Sequence, residues 1–318
     1  MTGDGGFRQE LGQRLAEACA PALDGIAKAR YWDVDREHRY DVDGFLAADA
    51  ASCPARAAAI LPTPFMHTPR TVSRAAGRAA FLEVLAGGTT PGRSSPAVSA
   101  HEGYRLARAA ALAAGAGRVS FPWDWLGGSG GGNHASSTEK TASAAATIRF
   151  VACVARVWSP LDAQPVALRA NASWTHPGPF PVRLTGRVDF VQGNMGGRRI
   201  VLVRSGVRGR AQFPRVAFEA LLDGLCFPVP RSVLLLLPEA GEREEIPVDD
   251  ELLAAGATVA ASALGAVVAR SKERTDDLPR LPGPSCRYCP ALGTCGPGSV
   301  WLASAAIFGA VGEEPADL

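Results

Sequence analysis

The residues best equipped for chemistry lie near the end of the chain. Pro284-Ser285-Cys286-Arg287-Tyr288-Cys289-Pro290-Ala291-Leu292-Gly293-Thr294-Cys295 carries three of the seven cysteines in a C-x2-C-x5-C spacing. Two cysteines two residues apart can turn both sulfurs toward one metal, and a third five residues on can close a second side. A tetrahedral thiolate site or an iron–sulfur cubane wants four ligands. The fourth must come from Cys19, Cys53, Cys153 or Cys226. Prolines and glycines punctuate the segment and predict a tight loop, neither helix nor strand. Met1 to Gln9 is polar and Gly-rich with no apolar core, which predicts no signal peptide and a cytoplasmic chain. In that setting clustered cysteines, here odd in total number, bind metal more often than they pair as disulfides.

Composition sets the frame. The chain has 318 residues, 47% hydrophobic and 20% charged, ample for one large domain or two small ones. A net charge of +2 does not by itself point to nucleic acid or membrane. Only Lys28, Lys140 and Lys272 are lysines among 33 basic residues, so any chemistry that needs a lysine has three places to find one. No apolar run reads as long enough to span a membrane: Leu234–Leu237 is short, and Val300–Val311 is short and contains Gly309. His38, His67, His101, His134 and His176 are scattered and read as ordinary residues.

The elements that must position the cysteines follow from periodicity. Arg8–Ala20 reads as a helix stopped by Pro21, with Cys19 as a small core residue. Tyr31–Asp43 is acid-rich and reads as a solvated charged face. Asp43–Arg56 is a short helix ending in a Cys-Pro step. Pro54 forces Cys53 out of the helical region, which leaves its thiol at a helix boundary within reach of another loop. Thr71–Leu85 and His101–Ala114 read as helices, and Gly127–Gly132, without the Gly-Lys-Ser/Thr ending of a phosphate loop, as a surface loop. Ser136 or Ser137 caps a helix to about Trp158, with Cys153 in its apolar part. After Pro160 the period becomes two. Val166–Trp174, Val182–Val191 and Arg199–Arg204 read as strands, the last two joined as a hairpin through Gln192–Gly197. A helix over Ala217–Leu225, a buried strand over Arg231–Leu237 and a helix from Asp249 or Asp250 to Lys272 complete the pattern. The fold class is α/β: a mixed central sheet flanked by helices.

This order of features resembles the iron–sulfur PD-(D/E)XK nucleases, of the RecB-like and CRISPR-adaptation type. That family places one cysteine early, often in a Cys-Pro-x-Arg step after a short helix, and three after the nuclease core; the four hold one [4Fe-4S] cluster. Cys53-Pro54-Ala55-Arg56 is similar to the first element, and Cys286, Cys289 and Cys295 to the rest. Gly186-Arg187-Val188-Asp189 matches the family's Gly-x-x-Asp strand. Leu202-Val203-Arg204-Ser205-Gly206 stands where the family has Asp/Glu-x-Lys-Thr/Ser-Gly, and Ala217–Leu222 resembles the helix that follows. The resemblance covers most of residues 43–297. It implies a restriction-endonuclease-like core over 138–280, a helical N-terminal region over 1–137 carrying the first cluster cysteine and the Gly-rich loop, and a cysteine loop with an apolar tail over 281–318. It implies a [4Fe-4S] cofactor on Cys53, Cys286, Cys289 and Cys295; zinc on the same thiolates is the alternative.

The departures fall on the catalytic residues. Hydrolysis of a phosphodiester would need carboxylates for Mg²⁺ or Mn²⁺ and a lysine near the attacking water. Asp189 is present. Leu202 replaces the second acid, and Arg204 replaces the lysine with a group that stays protonated and cannot act as a base. The family's helical His, expected near Gly77–Leu85, is absent, as is the Gln of the last helix. Glu219 reads as a solvated acid on a helix face. Six arginines and no acid lie between Asp189 and Glu219. Among them Arg198, Arg199, Arg204, Arg208 and Arg210 are expected either to contact DNA phosphates or to form a solvated face. The expectation is a catalytically silent, cluster-stabilised nuclease-like protein, a DNA-binding or structural subunit of a DNA-processing or defence complex, with no membrane and no Mg²⁺ or Mn²⁺. The alternatives are a divergent metal-dependent nuclease using Asp189 and a structural zinc protein unrelated to nucleases.

Overall fold

The computed structural model describes residues 3–27, 40–61, 73–78, 81–82, 145–150, 152–154, 157, 165–168, 171–176, 182–193, 197–204, 212–272 and 274–307. The helix expected at 101–114 and the glycine run at 127–132 lie outside them. The chain is mixed α/β. Its N-terminal elements are α1 (Gly3–Ala27), β1 (Tyr40–Asp43), α2 (Gly44–Ser52) and α3 (Pro54–Ile60). Helical stretches at 73–78, 81–82, 145–150 and 152–154 follow. The strands β2 (Pro165–Leu168), β3 (Asn171–Thr175), β4 (Val182–Arg187), β5 (Phe190–Gln192) and β6 (Arg199–Val203) lead into α4 (Phe213–Cys226). Then come β7 (Ser232–Leu237), β8 (Glu242–Pro247), α5 (Asp250–Ser271), three 3₁₀ turns and α6 (Gly296–Ile307).

Two sheets form. One has the order β1-β4-β3, the other β2-β5-β6-β7-β8. In the larger sheet β6 and β7 are parallel and joined through α4, and the remaining pairs are antiparallel. Its two faces are both covered. Val201, Val203, Leu234 and Leu236 pack on Phe81, Phe150 and Val154. The alternate residues Ile200, Leu202, Val233 and Leu235 pack on Val216, Ala217 and Ala220 of α4 and on Leu252 of α5. A strand buried on both faces needs apolar residues at every position, which explains the unbroken run in β7.

α5 is the central helix. Asp249 caps it by accepting a hydrogen bond from the Leu252 N–H at 2.8 Å. Its buried residues pack against α1, α2, α3 and α4, so the chain before residue 61 shares a core with the later helices. By length and composition α5 is apolar enough to cross a membrane, contrary to the expectation that no such run exists. Its alanines make it so, and here they form the floor of the packing.

Other differences have local causes. Pro21 does not stop α1, which continues to Ala27. The carbonyl it leaves unbonded belongs to Glu17, which is exposed and open to water. Two of the stretches expected as single strands, Val166–Trp174 and Val182–Val191, divide, with β3 and β4 in one sheet and β2 and β5 in the other; Arg199–Val203 and Ser232–Leu237 do not. In Val182–Val191 the apolar–polar alternation of the sequence runs through the break, so periodicity does not reveal the change of partner. The edge strand β8 (Glu-Arg-Glu-Glu-Ile-Pro) is too charged to read as a strand, and that charge suits an edge. The apolar tail from Val300 is part of α6 as far as Ile307.

Gly256 lets α5 lie against α4: a Cβ there would overlap the Ala217 carbonyl oxygen and lie 2.8 Å from Leu221 Cβ. Gly265 on the same helix has open space. Gly256→Ala is expected to destabilise by roughly 1–3 kcal/mol through overpacking. Gly265→Ala is expected to stabilise by up to about 1 kcal/mol through helix propensity. Chemical denaturation of the two variants beside the wild type checks both signs.

Candidate metal centre and a buried ion cluster

The first site is built where α2 gives way to α3. Cys53 has φ −165° and ψ 107°, extended between the two helices, with Pro54 opening α3. Its N–H donates to the Asp49 carbonyl at 2.8 Å, and its own carbonyl accepts from Ala57 N–H at 3.0 Å. The thiol therefore projects from a rigid junction. Both helices pack on α5, whose C-terminal end leads into the cysteine loop. Ala55 N–H donates to the Pro279 carbonyl at 3.3 Å, and Leu281 N–H donates to Cys53 Sγ at 3.4 Å.

The cysteine loop is wound as 3₁₀ turns over Pro284–Tyr288 and Leu292–Thr294. Gly283 N–H donates to Cys286 Sγ at 3.4 Å, and Ala291 N–H donates to Cys289. At Gly298, in the first turn of α6, a Cβ would stand 3.3 Å from Cys295 Sγ and 3.4 Å from Cys286 Sγ. The first turn of α6 therefore lies beside two of the thiols, and the partial positive charge of a helix N-terminus favours thiolates. Cys53, Cys286, Cys289 and Cys295 all line one cavity of about 280 Å³. Burial pushes the Cys289 thiol up, and the Arg56 guanidinium acts against that shift. Among the described residues no three His, Cys, Asp or Glu side chains converge tightly enough to hold a single metal ion. The other cysteines lie elsewhere: Cys19 is in the helical core, where burial raises its thiol to about 11, and Cys226 donates to the Ser173 carbonyl.

The second site centres on Asp189, at the break between β4 and β5. Its Oδ2 accepts from Val203 N–H at 2.7 Å and from Arg204 Nη1 at 2.8 Å, and Arg78 Nε lies 3.5 Å from Oδ1. Arg204 is only 4% exposed. Leu202, two residues earlier on the same face, is fully buried against α4.

Glu219 is not solvated, as expected above, but 2% exposed. It points from α4 into a niche that glycines keep open. A Cβ at Gly186 would overlap its Oε2, and one at Gly44 would lie 2.7 Å from Oε1. The glycine of Gly-x-x-Asp is therefore required by an acid on another element. The signal was in the sequence: Glu219 is the one charged residue in Val216–Leu222. Burial raises its carboxyl to about 7, opposed by Arg204 and Arg215 and reinforced by Asp189. Arg215 stacks on the Phe45 ring, 3.8 Å from its centre, and burial with the like charge of Arg204 lowers its guanidinium. Two carboxylates thus meet Arg78, Arg204 and Arg215. Asp189 is held by the Arg204 guanidinium, which can neither give up its proton nor serve as a base.

Three of the five arginines expected to meet DNA are engaged within the chain. Arg198 forms a buried pair with Asp223, donates to the Pro228 carbonyl at 3.2 Å and lies over Phe227. Arg199 donates to Gln192 at 3.1 Å and to Glu245 at 3.4 Å. Arg204 pairs with Asp189. Arg208 and Arg210 lie outside the described residues. Searches against protein-family models and curated proteins return no match for the chain.

The raised Glu219 carboxyl has a consequence for stability. The folded state holds this proton more tightly than the unfolded chain, so the contribution is full below the unfolded value near 4.5 and is lost as pH rises toward 7. Wild-type stability relative to Glu219→Gln is expected to fall across that window, by an amount on the order of 3 kcal/mol. Denaturation of both proteins at pH 4.5, 6 and 8 checks the slope.

Proposed function

We propose that the chain is a catalytically silent PD-(D/E)XK-like module held together by a [4Fe-4S] cluster on Cys53, Cys286, Cys289 and Cys295, and that it works as a structural subunit of a DNA-processing complex. One observation carries this reading: Cys53, distant in sequence, lines the same cavity as the C-terminal cysteines. The surroundings fit such a group. Three of the thiols accept backbone N–H bonds, a Cβ at Gly298 would stand in close contact with two of the sulfurs, and buried Arg56 borders the cavity. Hydrogen bonds to the sulfurs are a usual feature of cluster sites. When bound, the cluster ties the α2–α3 junction to the loop after α5.

The silence of the active site is supported by Leu202 in the core and by Arg204 on Asp189. A structural role is favoured over DNA contact because Arg198, Arg199 and Arg204 have protein partners, which leaves phosphate contact to Arg208 and Arg210. One observation favours the second reading, a divergent nuclease: Glu219 is buried beside Asp189 and could be a displaced metal ligand.

Protein purified without oxygen is expected to contain about four iron and four sulfide per chain, and Cys53→Ser is expected to lose them. One zinc and no iron would support the zinc protein instead. With Mn²⁺ and single- or double-stranded DNA, no cleavage is expected; cleavage that Asp189→Ala and Glu219→Gln each abolish would establish the nuclease.

A further inference from the structure

Among the described residues Arg56 is the one buried guanidinium that borders the cysteine cavity. It is 4% exposed. Its Nη1 is held by Asp49, which anchors the group from the side of α2. Its Nε is buried and has no hydrogen-bond partner among the described residues. An unsatisfied buried donor on a charged group is costly unless an acceptor completes it. The other arginines at the cavity differ: Arg280 is a third exposed and pairs with Asp276 at its rim. Asp49 itself is raised by burial and held down by Arg56, so the two form one coupled pair beneath the thiols.

We infer that Arg56 is a positioning residue that supplies a charge-compensating N–H donor to the anionic group held by the four cysteines and sets its reduction potential, with Asp49 moderating the charge. The inference rests on the cluster reading given above. Four thiolates around a cubane leave the group negative, and reduction by one electron from a dithionite titrant adds a further negative charge. A fixed cation nearby favours the reduced form, and a carboxylate behind that cation weakens the effect. The two residues therefore pull in opposite directions, which a merely structural pair would not do.

The test is a redox titration followed by electron paramagnetic resonance on wild type, Arg56→Gln, Arg56→Lys and Asp49→Asn, with iron and sulfide measured on each. Arg56→Gln is expected to disfavour the reduced form roughly tenfold, a downward shift of about 59 mV for a one-electron couple. Arg56→Lys is expected to recover most of it. Asp49→Asn keeps an acceptor for Nη1 but removes the opposing charge, and is expected to shift the potential upward. Equal iron content with no shift in any variant, or shifts of one sign in Arg56→Gln and Asp49→Asn, overturns the proposal. If Arg56→Gln does not fold, the upward shift in Asp49→Asn decides. Wild-type protein without iron brings down the cluster reading itself, and this proposal with it, an outcome visible from the metal analysis before any potential is measured.

Discussion

Burial of α5 is the interaction on which the rest depends. The helix is rich in alanine and leucine, and α1, α2, α3 and α4 all lie against it. Removing that much apolar surface from water outweighs the modest propensity of any single element. It also fixes geometry. The α2–α3 junction is pressed near the end of α5, and the chain leaving α5 runs directly into the cysteine loop. Cys53 meets that loop because two packing contacts with one helix leave it no other place. The thiols need no dedicated scaffold; they sit at the exit of the core.

Charge is handled by guanidinium throughout the interior. Asp189, Asp223 and Asp49 each face an arginine, and Glu219 faces two. A buried carboxylate without a partner would take up a proton or disrupt the fold. Arginine suits the task because it stays charged and its planar fork reaches two acceptors. The same property lets Arg204 hold Asp189 at every pH at which the protein is folded.

Much of this was legible in the sequence, and what was not had a physical reason. The C-x2-C-x5-C spacing and the Cys-Pro step marked cysteines that share a cavity; local turns set where the loop's sulfurs point, and packing on α5 brings Cys53 to them. The run in β7 and the Asp249 cap announced their elements through burial and hydrogen bonding encoded in adjacent residues. Long-range effects stayed hidden. Nothing in the alternation of Val182–Val191 says that Val188 and Asp189 mark a change of sheet. The inward turn of Glu219 depends on glycines at 44 and 186, on two other elements. The arginines of the β5–β6 hairpin look like a phosphate-binding face until Asp223, Glu245 and Gln192 are placed beside them.

The cavity walls come from opposite ends of the sequence, with Cys53 near the start and Cys295 and Gly298 near the finish. During synthesis the first wall leaves the ribosome long before the second exists. The helices before residue 61 must also wait for α5 before they have a surface to bury. The thiol pocket therefore cannot close until Gly298 has been made, long after Cys53. Until then the α2–α3 junction has neither α5 nor the cysteine loop to pack on.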